Sequence, residues 1–242
     1  MSEQNLTKKE IYDLNKEGAV KDRERSQNTR KFKRFLMWGG IFLGLVVIVW
    51  GLVKFSGGST PDVPDVSISD GIVAGDWVKG NKESKVALIE YGDFQCPACG
   101  AYHPLVNKLL EEVGDSFQFA YRHFPLQQHP HAKPAAYAAE AAGKQGKFWE
   151  MYDMIFERQK DWSNKKDVEE VFLQYATELG LNIDQYKKDR NAKEVREKVE
   201  NDTDSGTLNK VNSTPTFFLN GKRVQPQSYE EFKSFIIKAN SI

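Results

Sequence analysis

Residues 86–104 read VALIEYGDFQCPACGAYHP. The run from Val86 to Ile89 is apolar, is rich in strand-forming residues and ends near Gly92, which favours a short strand. A helix is predicted from Pro97 to about Gly114, because the apolar residues there recur at helical spacing. Both cysteines of the chain, Cys96 and Cys99, therefore fall at the start of a helix that directly follows a strand.

The residues after this helix predict a second strand. Residues 117–124 alternate between apolar and polar side chains, which is typical of a strand. A strand, a helix of this length and another strand make a βαβ unit, whose two strands run parallel.

A long helical block is predicted next, over about residues 131–206, from apolar positions spaced at i, i+3, i+4 and i+7. Residues 216–219 and 222–224 flank Asn220-Gly221, a strong hairpin signal. Ser228 and Glu231 form a capping box that begins a last helix, which ends near Asn240. The order predicts one α/β domain into which the helical block is inserted.

The spacing of Cys96 and Cys99 carries specific chemistry. Positions i and i+3 share one face of a helix, so the two sulfurs can bond. Pro97 suits the first helical position, where its missing N–H costs nothing. Cys96 then lies at the helix N-terminus, where unpaired N–H groups and the helix dipole favour a thiolate. We predict that Cys96 is the more exposed, attacking sulfur, that Cys99 is the buried resolving thiol, and that the pair performs thiol–disulfide exchange.

Two other readings of the pair are weaker. A purely structural disulfide across so short a loop removes little chain entropy. A metal site built on Cys96, Cys99 and His103 lacks an obvious fourth ligand, since His129 and His131 could contribute only by folding back. Two cysteines are also too few for a disulfide-stapled scaffold or a four-cysteine zinc site. We therefore expect neither a metal nor another cofactor.

The first 75 residues have a different composition. Residues 35–53, FLMWGGIFLGLVVIVWGLV, are uncharged, and as a helix they would span about 28 Å, close to the thickness of a bilayer core. Residues 1–34 contain ten Lys or Arg and six Asp or Glu, so the positive-inside rule places this tail in the cytoplasm. Residues 54–75 read as a linker rich in Gly, Ser, Pro and Asp. We expect a single-pass, uncleaved anchor in the cell membrane, with residues 76–242 as an extracytoplasmic domain.

The charge balance excludes one class of function. Lys+Arg and Asp+Glu are both 34 in the whole chain, so the formal net charge is zero. After subtraction of the tail, 24 basic and 28 acidic residues remain beyond residue 53, a net charge of −4. This balance argues against nucleic-acid binding through a global positive charge.

Three stretches together resemble the DsbA-like group of thioredoxin-fold proteins, from about Asp76 to the C-terminus. They are ALIEYGDFQCPACGAYHP (87–104), RHFPLQQHPHAKPAAYAAEAAGKQGKFWEMYDMIF (122–156) and NSTPTFFLNGK (212–222). The resemblance implies a thioredoxin fold with an inserted helical domain. It covers neither the tail nor the predicted anchor.

The resemblance also implies residue roles. Cys96 and Cys99 would be the redox pair, with Pro97 and Ala98 between them. Pro215 would be cis, and Thr214 before it would offer backbone hydrogen bonds to an extended substrate segment. Glu90 lies where some members place a buried acid, which would shuttle protons to or from Cys99 if it is not simply a solvated strand-end glutamate. Ala98 departs from the family, since many members carry a histidine there that helps to stabilise the thiolate.

The function expected from these features is an extracytoplasmic thiol–disulfide oxidoreductase. It would introduce disulfides into reduced exported proteins through Cys96 and Cys99, and a membrane redox partner would reoxidise it. One alternative keeps the fold and reverses the electron flow, which would give a disulfide reductase or isomerase. An alternative of another class is a membrane-tethered binding or chaperone module with an inert cysteine pair.

Overall fold

The computed structural model describes residues 71–241. Its centre is a five-stranded sheet with the strand order β1-β3-β2-β4-β5. The strands are β1 (Trp77–Gly80), β2 (Ala87–Gly92), β3 (Gln118–His123), β4 (Thr216–Leu219) and β5 (Lys222–Val224). Strands β2 to β5 lie where the sequence predicts them.

The predicted βαβ unit is present. β2 and β3 are parallel, with Ala87 opposite Gln118 and Gly92 opposite His123, and the helix α1 (Pro97–Val113) connects them. The other neighbouring strands in the sheet are antiparallel. The redox motif therefore begins where β2, flanked on both sides by other strands, reaches its carboxyl end.

Strand β1 was not predicted from the sequence. It pairs antiparallel with β3 and forms one edge of the sheet. Four residues, WVKG, are too short to establish an alternating pattern. The strand ends at Gly80, whose φ is +82° and where a Cβ atom would lie 2.4 Å from the Phe117 carbonyl oxygen. Only glycine fits this close approach without strain.

The helical block between β3 and β4 consists of six helices. They are α2 (Ala132–Gly143), α3 (Phe148–Glu157), α4 (Gln159–Trp162), α5 (Glu169–Glu178), α6 (Ile183–Arg190) and α7 (Lys193–Leu208). After the hairpin, the last helix is α8 (Tyr229–Ala239). The Ser228 side chain accepts a hydrogen bond from the Glu231 N–H at its start, as the capping box predicts.

The two faces of the sheet bury different side chains. Leu88, Phe119 and Tyr121 belong to the large core that also contains Cys99. The alternate residues Ile89 and Tyr91 belong to a smaller cluster on the opposite face. This alternation follows from the two-residue period of a strand, and it directs Glu90 to the same face as Leu88.

Within residues 71–241, no helix is both long enough and apolar enough to cross a membrane. The predicted tail (1–34) and anchor (35–53) lie outside the described residues. The same holds for the predicted linker (54–75) up to residue 70.

Candidate active site

Cys96 lies between the carboxyl end of β2 and the first turn of α1. It is the N-cap residue of α1, in an extended conformation with φ −68° and ψ 122°, and Pro97 occupies the start of the helix. The Gly100 N–H donates to the Cys96 carbonyl at 3.1 Å. Pro97 and Ala98 are exposed, so the start of the helix is open to an approaching protein.

The two sulfurs have different surroundings. Cys96 retains 6% of its accessible surface and Cys99 retains none, in the order that the sequence predicts. The Cys96 thiol donates to the Thr214 carbonyl oxygen at 3.3 Å, whereas the Cys99 sulfur accepts from the Asp93 N–H at 3.5 Å. Both cysteines are free thiols in this structure.

These surroundings separate the acidities of the two thiols. A hydrogen bond from Cys99 is the main cause that lowers the pKa of Cys96 from 9.0 to about 5. Burial opposes this shift, while the Thr214 side chain and the N–H groups of Cys99 and Ala98 add to it. Burial raises the pKa of Cys99 well above 9.0, and its hydrogen bond to Cys96 adds to the rise. At neutral pH, Cys96 is therefore the thiolate and Cys99 the thiol.

Glu90 is buried beneath this pair. Its exposure is 1%, so it is not a solvated strand-end glutamate. Burial, followed by the negative charge of Cys96, raises the pKa of Glu90 from 4.5 to about 8. The charge of Glu90 in turn raises the pKa of Cys99. The carboxyl group is thus coupled to both sulfurs and changes its protonation state close to neutral pH.

The loop before β4 faces the first sulfur. The Thr214–Pro215 peptide bond is cis, as the resemblance implies. Thr214 is buried. Its carbonyl oxygen accepts from the Cys96 thiol, and its side chain helps to lower the pKa of that thiol.

Asp93 organises the loop that carries Cys96, and it was not singled out from the sequence. Its carboxylate accepts from the Gln95 N–H at 2.7 Å and from the Leu126 N–H at 2.9 Å. It also lies 2.7 Å from His129 Nδ1. Because aspartate often bonds the N–H two residues ahead in a turn, its place before Gln95 is a sequence signal that could have identified it.

Gln159 holds the same loop from the helical block. Its Nε2 donates to the carbonyls of Phe94 at 2.7 Å and of Cys96 at 2.9 Å. Its Oε1 would lie 2.6 Å from a Cβ atom at Gly100, so any larger residue there would displace it. No sequence signal points to Gln159, because the contact joins residues 63 positions apart.

Each of the four histidines of the chain has a polar partner other than the two sulfurs. His103 Nε2 lies 2.8 Å from Asp153 and His123 Nε2 lies 2.8 Å from Glu140. His129 pairs with Asp93, and His131 Nε2 lies 2.7 Å from a backbone carbonyl. In the part of the chain that the structure describes, no three His, Cys, Asp or Glu side chains are placed to hold a metal ion.

Comparison with known proteins identifies a matching family. The sequence model of the family described as Thioredoxin matches residues 73–238. This range contains all the described strands and the redox motif. It begins beyond the predicted anchor.

Solved structures of similar fold include two proteins of the Bdb and Dsb series. Oxidised BdbD from Bacillus subtilis superposes with a TM-score of 0.65 at 23% identity. The superposition covers 74% of this chain and 100% of the BdbD chain. The α-DsbA1 protein of Wolbachia pipientis superposes with a TM-score of 0.62 at 22% identity. The superposition covers 70% of this chain and 93% of the α-DsbA1 chain. At this identity, the likeness concerns the fold.

Curated relatives of higher identity are much longer proteins. The Na(+)/H(+) antiporter NhaA 1 of Salinispora arenicola is 40% identical over 149 residues, which are 61% of this chain and 22% of the antiporter. NhaA 3 of Salinispora tropica is 38% identical over 166 residues, 68% of this chain and 24% of the antiporter. The chain thus spans about a quarter of the length of these relatives.

Proposed function

Because this chain belongs to the thioredoxin family and shares its fold with DsbA-like proteins, we propose that it is a protein thiol–disulfide oxidoreductase. It introduces disulfides into reduced exported proteins through Cys96 and Cys99. The observation that carries this proposal is the opposite acidity of two thiols within one helical turn, with the pKa of Cys96 at about 5 and that of Cys99 well above 9.0.

The low pKa of Cys96 favours an oxidising pair. A thiol with a pKa of about 5 is ionised at pH 7, two pH units above its pKa, whereas a thiol with the ordinary value of 9.0 is protonated. The reduced form of the pair is therefore stabilised by the equivalent of two pH units. Two units correspond to about 2.7 kcal/mol. For a two-electron couple this is about 60 mV towards the oxidising side. The reduced form is stabilised, so the disulfide is readily given to a substrate.

The reaction follows from these protonation states. A substrate thiolate attacks Cys96 in the Cys96–Cys99 disulfide and releases Cys99 as a thiolate, which takes a proton. A second substrate thiolate then attacks the substrate sulfur of the mixed disulfide and releases Cys96 as a stable thiolate. The substrate leaves with one disulfide and the protein retains two reduced cysteines.

Reoxidation requires the reverse proton movement. The Cys96 thiolate attacks a disulfide of the membrane redox partner and forms a mixed disulfide. Cys99 must then lose its proton before it can attack Cys96. Glu90 is the buried base that takes this proton, since it is coupled to Cys99. Once Cys96 is bonded its negative charge is gone, which removes one cause of the raised pKa of Glu90 and makes the carboxylate available near neutral pH.

The substrate-facing groups surround Cys96. Pro97 and Ala98 are exposed beside it, and Thr214 and Pro215 form the opposite wall. We assign to this wall the binding of an extended substrate segment that carries the reacting cysteine. Ala98 contributes no imidazolium, so the Cys99 thiol supplies the main stabilisation of the Cys96 thiolate, and the Thr214 side chain and the helix N–H groups add to it.

The membrane placement is part of the proposal. Residues 35–53 anchor the chain in the cell membrane, with residues 1–34 in the cytoplasm and the redox domain outside. The uncharged 19-residue run and the basic residues before it support this topology. In intact cells, protease added from outside is expected to digest the redox domain and to spare an epitope placed in residues 1–34. Protection of the domain would contradict the topology.

The activity is tested with the full-length chain and a reduced protein whose own activity requires its disulfides. The oxidised chain is expected to accelerate the recovery of that protein's activity. Cys96→Ser should abolish the acceleration. Cys99→Ser, mixed with oxidised glutathione, should accumulate a mixed disulfide between Cys96 and glutathione, which a reductant cleaves. A Cys96→Ser variant as active as the native protein would refute the proposal.

Two further measurements distinguish the alternatives. A reduction potential near about −120 mV supports an oxidant, whereas a value near about −270 mV supports a disulfide reductase. An alkylation rate of Cys96 whose pH midpoint is near the free value of about 8.5 would support an inert pair in a binding module. We expect a midpoint near 5, from the hydrogen bonds that stabilise the thiolate.

A further inference from the structure

Three buried oxygen atoms beneath the cysteine pair have no hydrogen-bond partner within residues 71–241. They are Glu90 Oε2, Tyr121 Oη and Tyr152 Oη. Each of these residues is at most 1% exposed. Since buried polar atoms in folded proteins are nearly always paired, such a concentration at one place calls for a function.

The three side chains lie together on one face of the sheet. Glu90 and Tyr121 are register partners in the parallel pair β2–β3, so both project to the face covered by α1. The Tyr121 ring passes over Gly92, where a Cβ atom would lie 2.3 Å from the ring and 2.9 Å from its hydroxyl oxygen. Gly92 thus leaves room for the Tyr121 hydroxyl near the Cys99 end of β2.

Tyr152 reaches the same place from the helical block. Its ring packs at 74° against the Tyr121 ring, with the centroids 5.0 Å apart. Burial and then the charge of Glu90 raise the pKa of Tyr152 well above 10.0, which places its hydroxyl within electrostatic reach of the carboxyl group. Two buried tyrosine hydroxyls, one from β3 and one from α3, therefore lie on the same side of the sheet as the buried carboxyl group.

A buried carboxylate is costly unless donors compensate for the lost water. The proton transfer from Cys99 requires this carboxylate, and the two tyrosine hydroxyls are the neighbouring donors whose hydrogen-bonding capacity is unused. A tyrosine hydroxyl can donate to the carboxylate and accept from the protonated acid, so it serves both states.

We propose that Tyr121 and Tyr152 are positioning residues whose hydroxyls solvate the Glu90 carboxylate through one shared water, so that Glu90 can take the proton of Cys99. This inference rests on the proposed function. The Cys99 thiol and the Glu90 carboxylate become a thiolate and a carboxylic acid. The thiolate then attacks the Cys96 sulfur of the mixed disulfide and releases the partner sulfur as a thiolate.

Other ionisable groups also face this cluster. They come from β1, from the loop after β2, from α1, from β3 and from α3, and they comprise Lys79, Asp93, Cys96, Cys99, His103, His123 and Asp153. The three tyrosine substitutions below leave all of them unchanged. Any change in the pH midpoint of the second burst is therefore measured with the same neighbouring ionisable groups.

The test uses the reduced full-length chain mixed with an aromatic disulfide that releases one coloured thiolate in each step. The first burst reports attack by Cys96, and the second reports attack by Cys99 on the mixed disulfide. Tyr121→Phe and Tyr152→Phe each remove one hydroxyl. Tyr186→Phe is the matched control, because Tyr186 is also buried with an unpaired hydroxyl in the described region but lies in α6, away from the cysteines.

Both Tyr121→Phe and Tyr152→Phe are expected to raise the pH midpoint of the second burst by about one unit, the size of one hydrogen bond to a charged group. At a given pH below the midpoint, the second burst should be about tenfold slower than in the native protein. The first burst should be unchanged, and Tyr186→Phe should match the native protein in both bursts. In Tyr121→Phe and Tyr152→Phe, the pKa of Glu90, measured from its infrared carboxyl band, should rise by the same amount.

The outcomes separate the inference from the proposed function. If Glu90→Gln removes the pH-dependent limb of the second burst while both tyrosine variants keep the native midpoint, the inference is overturned and the oxidoreductase stands. If Cys99→Ser still gives two bursts, the proposed function itself fails. A structural effect of the tyrosines would slow both bursts without moving the midpoint, and this would also overturn the inference.

Discussion

Two buried groups should make opposite pH-dependent contributions to the stability of the reduced protein. The pKa of Glu90 is raised from 4.5 to about 8 in the folded state. Between these values the folded state binds more protons than the unfolded state, so its stability falls as the pH rises. The pKa of Cys96 is lowered from 9.0 to about 5, so its contribution to stability rises with pH over that range. From about pH 5 to about pH 8 the two contributions should largely cancel.

Glu90→Gln removes one of the two contributions and should reveal the other. Glutamine has nearly the same shape as a protonated glutamate but does not titrate. The free energy of unfolding of the reduced variant, minus that of the reduced native protein, should rise by about 1.4 kcal/mol per pH unit. Between about pH 5.5 and about pH 7.5 the difference should grow by about 2.7 kcal/mol.

The assay is denaturant unfolding of the full-length chain at several pH values, with a phosphine reductant present throughout. Glu170→Gln is the matched control, since Glu170 is exposed on α5, and its curve should run parallel to that of the native protein. Parallel curves for Glu90→Gln and the native protein would refute the reasoning, because they would mean that Glu90 ionises in the folded state as it does in the unfolded chain.

Other substitutions give independent tests. Thr214→Val removes the hydroxyl that helps to stabilise the Cys96 thiolate, so the pKa of Cys96 should rise by about one unit and the reduction potential should fall by about 30 mV, measured against a glutathione buffer. Gln159→Ala removes the donor to the Phe94 carbonyl and leaves the Cys96 carbonyl with the Gly100 N–H alone, and denaturant unfolding should show a loss of about 1–3 kcal/mol. Gly92→Ala places a Cβ atom 2.3 Å from the Tyr121 ring, and a loss of about 1–3 kcal/mol is expected from the same measurement.

Much of the fold could be predicted because its signals are local. The βαβ unit follows from alternation in Phe117 to Phe124 and from helical spacing after Pro97, and both patterns lie within short stretches. The hairpin follows from Asn220-Gly221, which adopts positive φ angles of 47° and 81°. Strand β1 was missed because its four residues carry no period of their own and are defined only by pairing with β3.

The candidate site divides in the same way. The spacing of Cys96 and Cys99 and the helix N-terminus are sequence-local, so the identity of the attacking sulfur could be inferred. Asp93 carried a usable turn signal. Gln159 and Tyr152 carried none, because they reach the site from the inserted helices, and only the folded chain brings them to the cysteines and Glu90.

The sequence by itself determined which atoms could react. Two cysteines one helical turn apart, with a proline between them at the helix start, specify a dithiol whose first sulfur favours the thiolate. The tertiary structure decided how protons reach that dithiol. Burial of Glu90 turns an ordinary acid into a base that works near neutral pH, and burial depends on elements distant in sequence. Desolvation is a property of the packed core, so no local pattern could have supplied it.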